Sequence, residues 1–316
     1  MRSLQITSLR TEPGQPPSGA EPTLANWLSI AVLGVIWGGT FMVIELALTG
    51  YGPLTVATAR TALGAVALTA LTLALGRPFP RDMRVWMLGV PLGLLSSAAP
   101  FFLLSWGQQH VPSAFAGLSM AALPLFVLPL AHVFSDELLS LRKLLGVILG
   151  FAGALVLMGP GLSGLGRGAV ESLGQAACLL AAVCYAVASI LTRRCPPVDP
   201  VALSAISLGV GAVVLVPIML AVEGVPVWQP GIAGWAIVGL GLIPTAMAAV
   251  LRVIVIRSAG SVFMTLVNYQ VPLWSMLFGA LILSESLPWR FFAALALILC
   301  GLAISQWASL RKFVKV

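Results

Sequence analysis

The chain has 316 residues, 59% of them hydrophobic and only 9% charged, with a formal net charge of +7 and a mean hydropathy of +1.04. A soluble domain carries roughly 25% charged residues, so composition excludes a soluble globular fold and points to a polytopic membrane protein. The apolar runs approach 20 residues without strict alternation, which fits membrane helices and excludes a barrel.

The N-terminal stretch 1–24 is rich in Pro, Gly, Ser and Thr and too poor in apolar residues for a signal peptide, so it reads as a disordered cytoplasmic tail. Ten spans follow, at 26–47, 54–75, 85–106, 112–134, 142–159, 172–193, 201–222, 232–256, 261–283 and 289–309. Each is long enough to cross a hydrocarbon core of about 30 Å. Short connections such as Gly50-Tyr51-Gly52-Pro53 and Cys195-Pro196-Pro197 carry the turn residues. The first five spans form one unit, 26–160, and the last five a second, 171–309, before a basic cytoplasmic tail at 310–316. With both termini in the cytoplasm, fourteen of the 17 Lys and Arg residues fall on the inner side. Arg167 and Arg290 fall outside and Arg60 lies within a span, so the positive-inside rule selects this topology. The net charge is therefore a topology signal and calls for no nucleic-acid partner. Cys178, Cys184, Cys195 and Cys300 lie in or beside spans without metal-ligand spacing and are expected to be free, buried thiols.

Segments 101–154 and 249–302 match in the same register at an offset of 148. Glu285 falls on Glu137, Arg290 on Arg142, Pro272 on Pro124, Ser261 on Ser113, Gly301 on Gly153 and Thr245 on Ser97. Five spans per copy is an odd number, so the second copy enters the membrane from the opposite side. The expected fold is an all-α polytopic membrane protein of ten transmembrane helices, built from two inverted five-helix repeats. Two inverted copies can exchange two non-equivalent shapes, which is the geometric basis of alternating access.

The stretch from Ala121 to Gly153 contains ALPLF, the end of a span, then DELLSLRKLLGVILGFAG; the second copy reads VNYQVPLWSMLFGALILSESLPWRFFAALALILCG. A mid-span Pro, a Glu at the span's end and a Gly-bearing helix beyond it resemble the EamA family of the drug/metabolite transporter superfamily. The opening helix LGVIWGGTFMV and Arg60 in the second span add to the likeness, which covers residues 26–309. The resemblance implies a ten-helix inner-membrane carrier of small metabolites, often an exporter of amino acids or drugs. The second copy departs at Ser284, where the family usually has Gly, a difference expected to matter little.

Glu45 and Arg60 are the two charges well inside the first hairpin, at similar depth on either side of its turn. An intramembrane charge is costly and normally finds a partner. The pair reads either as a structural ion pair or as a coupling element in which Glu45 takes up a proton or meets a substrate amine. Trp37, Phe41 and Glu45 are spaced by four and share a helix face. Tyr185 is the repeat equivalent of Trp37, so the two place an aromatic wall on each side of the axis, suited to an aromatic, apolar or cationic solute. Packing or lipid contact is the plainer role for each ring. Thr265, Asn268, Tyr269 and Pro272 form one stripe, and Pro272 deprives the Asn268 carbonyl of its usual donor. These are candidate substrate contacts, with interhelical hydrogen bonding as the alternative.

Pro124 and Pro272 are gating or structural candidates, as are Glu137 and Glu285. Inverted topology puts the two glutamates on opposite membrane faces. Each precedes its next helix, where a carboxylate stabilises the N-terminus. His110 and His132 have no ligand spacing, so no metal site is expected, and no nucleotide-binding or hydrolase motif implies a cofactor or an enzyme.

The expected function is secondary transport: export of a small metabolite, an amino acid or drug-like solute, from a bacterial cytoplasm across the cytoplasmic (inner) membrane. The expected partners are a small-molecule substrate, the lipid bilayer and protons, if the coupling is not to the substrate's own gradient. An importer and a flippase for a lipid-linked group remain open alternatives. So does an intramembrane enzyme, for which Glu45 and Arg60 form the one cluster at a common depth.

Overall fold

A computed structural model of the protein describes residues 22–134, 140–159 and 169–307. Glu137 and both distal tails lie outside the described residues. Among the described residues there are ten helical segments and no strand. In hydrocarbon every backbone group must be satisfied within the segment, which helices achieve. They are α1 (Leu24–Leu48), α2 (Pro53–Ala74), α3 (Met83–Gly107), α4 (Ser113–Phe134), α5 (Leu141–Met158), α6 (Ala169–Arg193), α7 (Pro200–Val222) and α8 (Ile232–Ala259). Two more follow: α9, in two pieces, Ser261–Met264 and Val267–Leu281, and α10, Trp289–Ser305. Helices α1 to α8 are long and apolar enough to cross a membrane, whereas α9 is interrupted and α10 has 17 residues. The protein is a multi-pass membrane protein.

The surface agrees with that setting. Val66, Leu145, Ile148, Val213, Ile243, Leu273 and Phe292 are exposed along the helices, the reverse of a soluble protein's surface. Exposed tryptophans collect at the two ends of the bundle, Trp27, Trp86 and Trp307 at one and Trp228, Trp235 and Trp289 at the other, as interfacial rings do. The first of these ends also holds Arg77, Arg194 and Arg257 and is called the Arg-rich end below. Cys178 and Cys184 are buried as expected; Cys195 is half-buried and Cys300 is exposed, because it falls on the outward face of α10.

Helix starts differ between the ends. At the Arg-rich end, α1, α3, α5 and α7 carry their own caps: Thr23, Asp82, Ser140 and Asp199 accept from amides two or three residues on. At the opposite end, α2 and α4 follow Gly52 and Pro112, which offer no side-chain cap. These two helices borrow one. The Glu223 carboxylate, beyond α7, accepts from the Leu54 and Thr55 amides at 2.9 and 2.8 Å and from the Thr55 hydroxyl at 2.7 Å. Glu285, beyond α9, accepts from the Ser113 and Ala114 amides at 2.7 and 3.1 Å.

Contacts between the two sequence halves are extensive. Helix α2 packs along α7, α5 along α10, and α1 along α9 and α8, while α3 and α4 meet α6. The α5–α10 seam is close because it is built on glycine. A Cβ placed on Gly301 would lie 2.5 Å from the Gly146 carbonyl oxygen and 2.7 Å from the Gly150 nitrogen, and one on Gly153 would lie 3.0 Å from the Ala294 carbonyl oxygen. Small residues that let backbones approach are the common basis of helix association in lipid. Gly34 and Gly38 play the same part for α1, against Gln270 and Trp274 of α9.

Candidate functional site

Two helices leave α-helical geometry midway. A π-helical turn spans Leu94–Ala98 in α3 and another spans Gly241–Met247 in α8. The 148-residue offset carries the first onto 242–246, so both halves bend at equivalent places. Such widened turns are frequent at functional sites. In α8 the cause is visible. Pro244 has no N–H to donate to the Leu240 carbonyl, and the Thr245 hydroxyl donates to it instead at 2.8 Å. The Trp37 indole of α1 donates to the Pro244 carbonyl at 3.3 Å. In α3 the Ser97 hydroxyl donates to the Gly93 carbonyl at 2.7 Å, with the Ser207 carbonyl of α7 at 3.3 Å.

Arg60 meets the α8 bend from α2. Its Nε donates to Thr245 Oγ1 at 3.0 Å, and its guanidinium lies over the Phe101 ring of α3, 3.8 Å from the centroid. A desolvated cation–π contact of this kind stabilises by about 2 kcal/mol. The Tyr185 phenol of α6 is within electrostatic reach of the same guanidinium. Trp37, Arg60, Phe101, Tyr185 and Thr245 thus gather from five helices around one bend. Of the sequence-expected contacts, Trp37 and Tyr185 belong to this group, and Tyr185 touches both buried hydrophobic clusters.

The expected Glu45–Arg60 ion pair is not formed: among the described residues no ion pair joins them. Helix α1 lies mainly against α8 and α9 and α2 mainly against α7 and α8, and the two helices of the first hairpin touch each other little. One Glu45 oxygen, Oε2, is buried without a hydrogen-bond partner, and the Glu285 carboxylate is near enough to act on it electrostatically. Nearby, the Gln108 amide donates to the Phe41 carbonyl at 3.0 Å. Phe41 itself is 4% exposed and sits in the core beside Gly117.

The expected stripe on α9 is broken. With Pro272 unable to donate to Asn268, the preceding turn tightens, and the Asn268 and Tyr269 amides bond three residues back at 3.0 and 3.3 Å. Thr265 leaves the helical face and its hydroxyl lies 3.4 Å from the Gln306 side chain, beyond α10 at the Arg-rich end. Asn268 is half-buried and the Tyr269 hydroxyl is buried without a partner. Among the described residues no hydrogen bond links either to Arg60. Pro124 is buried in α4, just after a break at Ala122, and Pro272 is buried in α9.

Glu285 stabilises a helix N-terminus, but that of α4 rather than of α10, the helix that follows it. The preceding residue, Ser284, has φ 55°, the one left-handed non-glycine among the described residues. The departure from Gly at this position therefore has a conformational cost. At the Arg-rich end Asp199 gathers α7, Arg77 (3.1 Å) and Arg257 (3.4 Å). Burial works against its charge, but the Ala202 and Val201 amides and the Arg77 guanidinium outweigh burial and hold its carboxyl below the ordinary aspartate range.

The EamA-like transporter family model matches the chain twice, over residues 25–159 and 172–306. The chain belongs to the EamA-like transporter family. Its relatives within that reach include the uncharacterized inner membrane transporter YedA of Escherichia coli K12, 28% identical over 87% of this chain and 89% of YedA. A probable terminal-alkyne amino-acid exporter of Streptantibioticus cattleyicolor is 28% identical over 76% of this chain and 81% of its own. A crystal structure 21% identical in sequence superposes with a TM-score of 0.65 over 90% of this chain and 98% of that one, which shows the shared fold. The chain is thus a membrane transporter of EamA type. Within this family fold, sequence reasoning missed Phe101 under Arg60, Gln108 beside Phe41 and the borrowed cap from Glu223. Only Glu223 leaves a sequence trace, as a lone charge closing an apolar span.

Proposed function

We propose that the protein is a secondary transporter that exports a small metabolite, an amino acid or drug-like solute, across the bacterial cytoplasmic membrane by alternating access. Ten spans in two inverted five-helix repeats, with both termini cytoplasmic, form the moving parts. The observation that carries the reading is the polar group at mid-depth where the halves meet: Arg60 on Thr245, on one of two π-helical bends that lie 148 residues apart. Binding sites on interrupted helices at a repeat interface are what this architecture uses. The amino-acid exporter among the relatives supports the cargo class.

Glu45 is the coupling group in this reading. Its Oε2 is buried and unpartnered, and protonation removes its repulsion with Glu285. Glu285 in turn holds the N-terminus of α4, so a proton on Glu45 acts on a contact between α4 and the end of α9. Gln108 and Ser113, also near this group, are neutral.

Purified protein in proteoliposomes, screened with labelled amino acids, cationic dyes and vitamins with and without a pH gradient, tests the proposal. At least one solute moves, and Glu45→Gln leaves protein levels intact while flattening the pH dependence. If no solute moves under any gradient while the protein stays folded, the transport reading fails; unchanged pH dependence in Glu45→Gln removes Glu45 alone.

A further inference from the structure

Arg60 is 7% exposed, and no carboxylate of the described residues pairs with it. The chain has six described carboxylates, and five are engaged elsewhere. Asp82 and Asp199 cap α3 and α7, Glu223 and Glu285 cap α2 and α4, and Glu171 accepts from Gln175. The sixth, Glu45, stands in the field of Glu285. A buried cation without a counter-ion is costly, and chains normally retain one only for use.

The surroundings of Arg60 are arranged around a free edge. Thr245 accepts from Nε and donates its own hydrogen to the Leu240 carbonyl, so its hydroxyl is fixed from both sides and fixes the guanidinium in turn. Phe101 covers one face of the guanidinium plane. What remains is the Nη1–Nη2 edge, two parallel donors whose spacing matches the two oxygens of a carboxylate. The Tyr185 phenol is the other polar group in reach, and the Trp37 indole is anchored one residue from Thr245. Among the described residues no second cation joins the group. One guanidinium compensates one negative charge, so the arrangement fits a carboxylate better than a phosphate dianion.

We propose that Arg60 receives the carboxylate of the transported solute through its Nη edge, with Thr245 and Phe101 as positioning residues, so that the cargo is a carboxylic or amino acid with an apolar or aromatic body set against Trp37 and Tyr185. The proposal rests on the transport reading and narrows its substrate class. It also separates cargo recognition from Glu45, which makes no ion pair with Arg60.

The test uses full-length protein in detergent and in proteoliposomes. The probes are a panel of amino acids and aromatic carboxylates, including phenylalanine and leucine, with phenylalaninamide, leucinamide, phenethylamine, isopentylamine and inorganic phosphate. Tryptophan-fluorescence quenching reads binding, and labelled solute reads transport. Wild-type protein binds at least one acid ten-fold or more tightly than its amide or amine, since a charge-assisted bond on a buried partner sets that scale. Arg60→Gln abolishes the difference between acid and amide, and Arg60→Lys restores part of it. Thr245→Val lowers the preference for acid over amide several-fold, which keeps the test open if Arg60 variants fail to fold. Equal affinity for acid and amide, tighter binding of phosphate, absence of binding by every acid, or a folded Arg60→Gln with wild-type discrimination each overturns the proposal. Acids that bind but do not move leave the carboxylate site standing and sink the transport reading. Solutes that move without regard to their carboxylate do the reverse.

Discussion

Removing the borrowed cap on α4 is the most direct probe of how the bundle is held together. In Glu285→Ala the Ser113 and Ala114 amides lose their acceptor, and Ser113 is fully buried, so water replaces the carboxylate poorly. Two hydrogen bonds to a charged group contribute about 1.5–3 kcal/mol each. An N-cap replaced by alanine costs about 0.5–2 kcal/mol as a whole. The half-buried position of Glu285 and the relief of its repulsion with Glu45 pull the expected loss down to about 2–3 kcal/mol. At about 2 °C per kcal/mol for a chain of this size, the melting temperature of purified protein drops by about 4–6 °C. Glu285→Gln, which keeps one acceptor and loses the charge, loses about half as much. Thermal unfolding in detergent, followed by tryptophan fluorescence, measures both. A Glu285→Ala protein that melts within 1 °C of wild type, about half a kcal/mol on the same scale, would refute the argument that a carboxylate from beyond α9 holds α4.

Ser284 supplies a prediction of the opposite sign. Its left-handed φ of 55° is strained for a residue with a Cβ, and the side chain is exposed. Ser284→Gly is expected to stabilise by about 0.5–1 kcal/mol, net of glycine's greater unfolded freedom; a lower melting temperature would show that the conformation carries no strain. Asp199 gives a pH dependence. Its folded-state carboxyl titrates below its unfolded one, so its stabilisation is fully present above the ordinary aspartate range and is lost as pH falls through the folded value. The melting-temperature gap between wild type and Asp199→Asn should therefore be constant from neutral pH down to mild acid and close only below about pH 4. A gap that closes near pH 6 would point to a different group.

The helices were readable because hydropathy and length decide them: α1 to α8 coincide with sequence-expected spans to within a few residues at their ends, whereas the ninth is interrupted and the tenth is short. The offset of 148 also paired Ser97 with Thr245, and these prove to sit in the two π-helical turns. The bend itself left only an indirect trace, Pro244 beside Thr245, because a single widened turn has no period to detect. Partner choice was the harder matter. Glu45 and Arg60 stand at similar depths on helices joined by a short turn, yet the partner of α1 is chosen by Gly34 and Gly38, whose complementary surface lies more than 200 residues away on α9. The target of Glu285 was missed for the same reason. A carboxylate next to a helix start in sequence suggests that helix, and only the fold shows another N-terminus facing it.

The glycine seam between α5 and α10 has a property beyond closeness. Gly146 approaches Gly301, and Gly153 approaches Ala294. Subtracting 148 turns Gly301 into 153 and Ala294 into 146, so the second contact is the first with its partners exchanged. Self-complementarity of this kind is the mark of an isologous interface, the sort that two identical chains make across a two-fold axis. Here a single polypeptide makes it with itself. Helices α5 and α10 therefore each carry the surface needed to recognise the other.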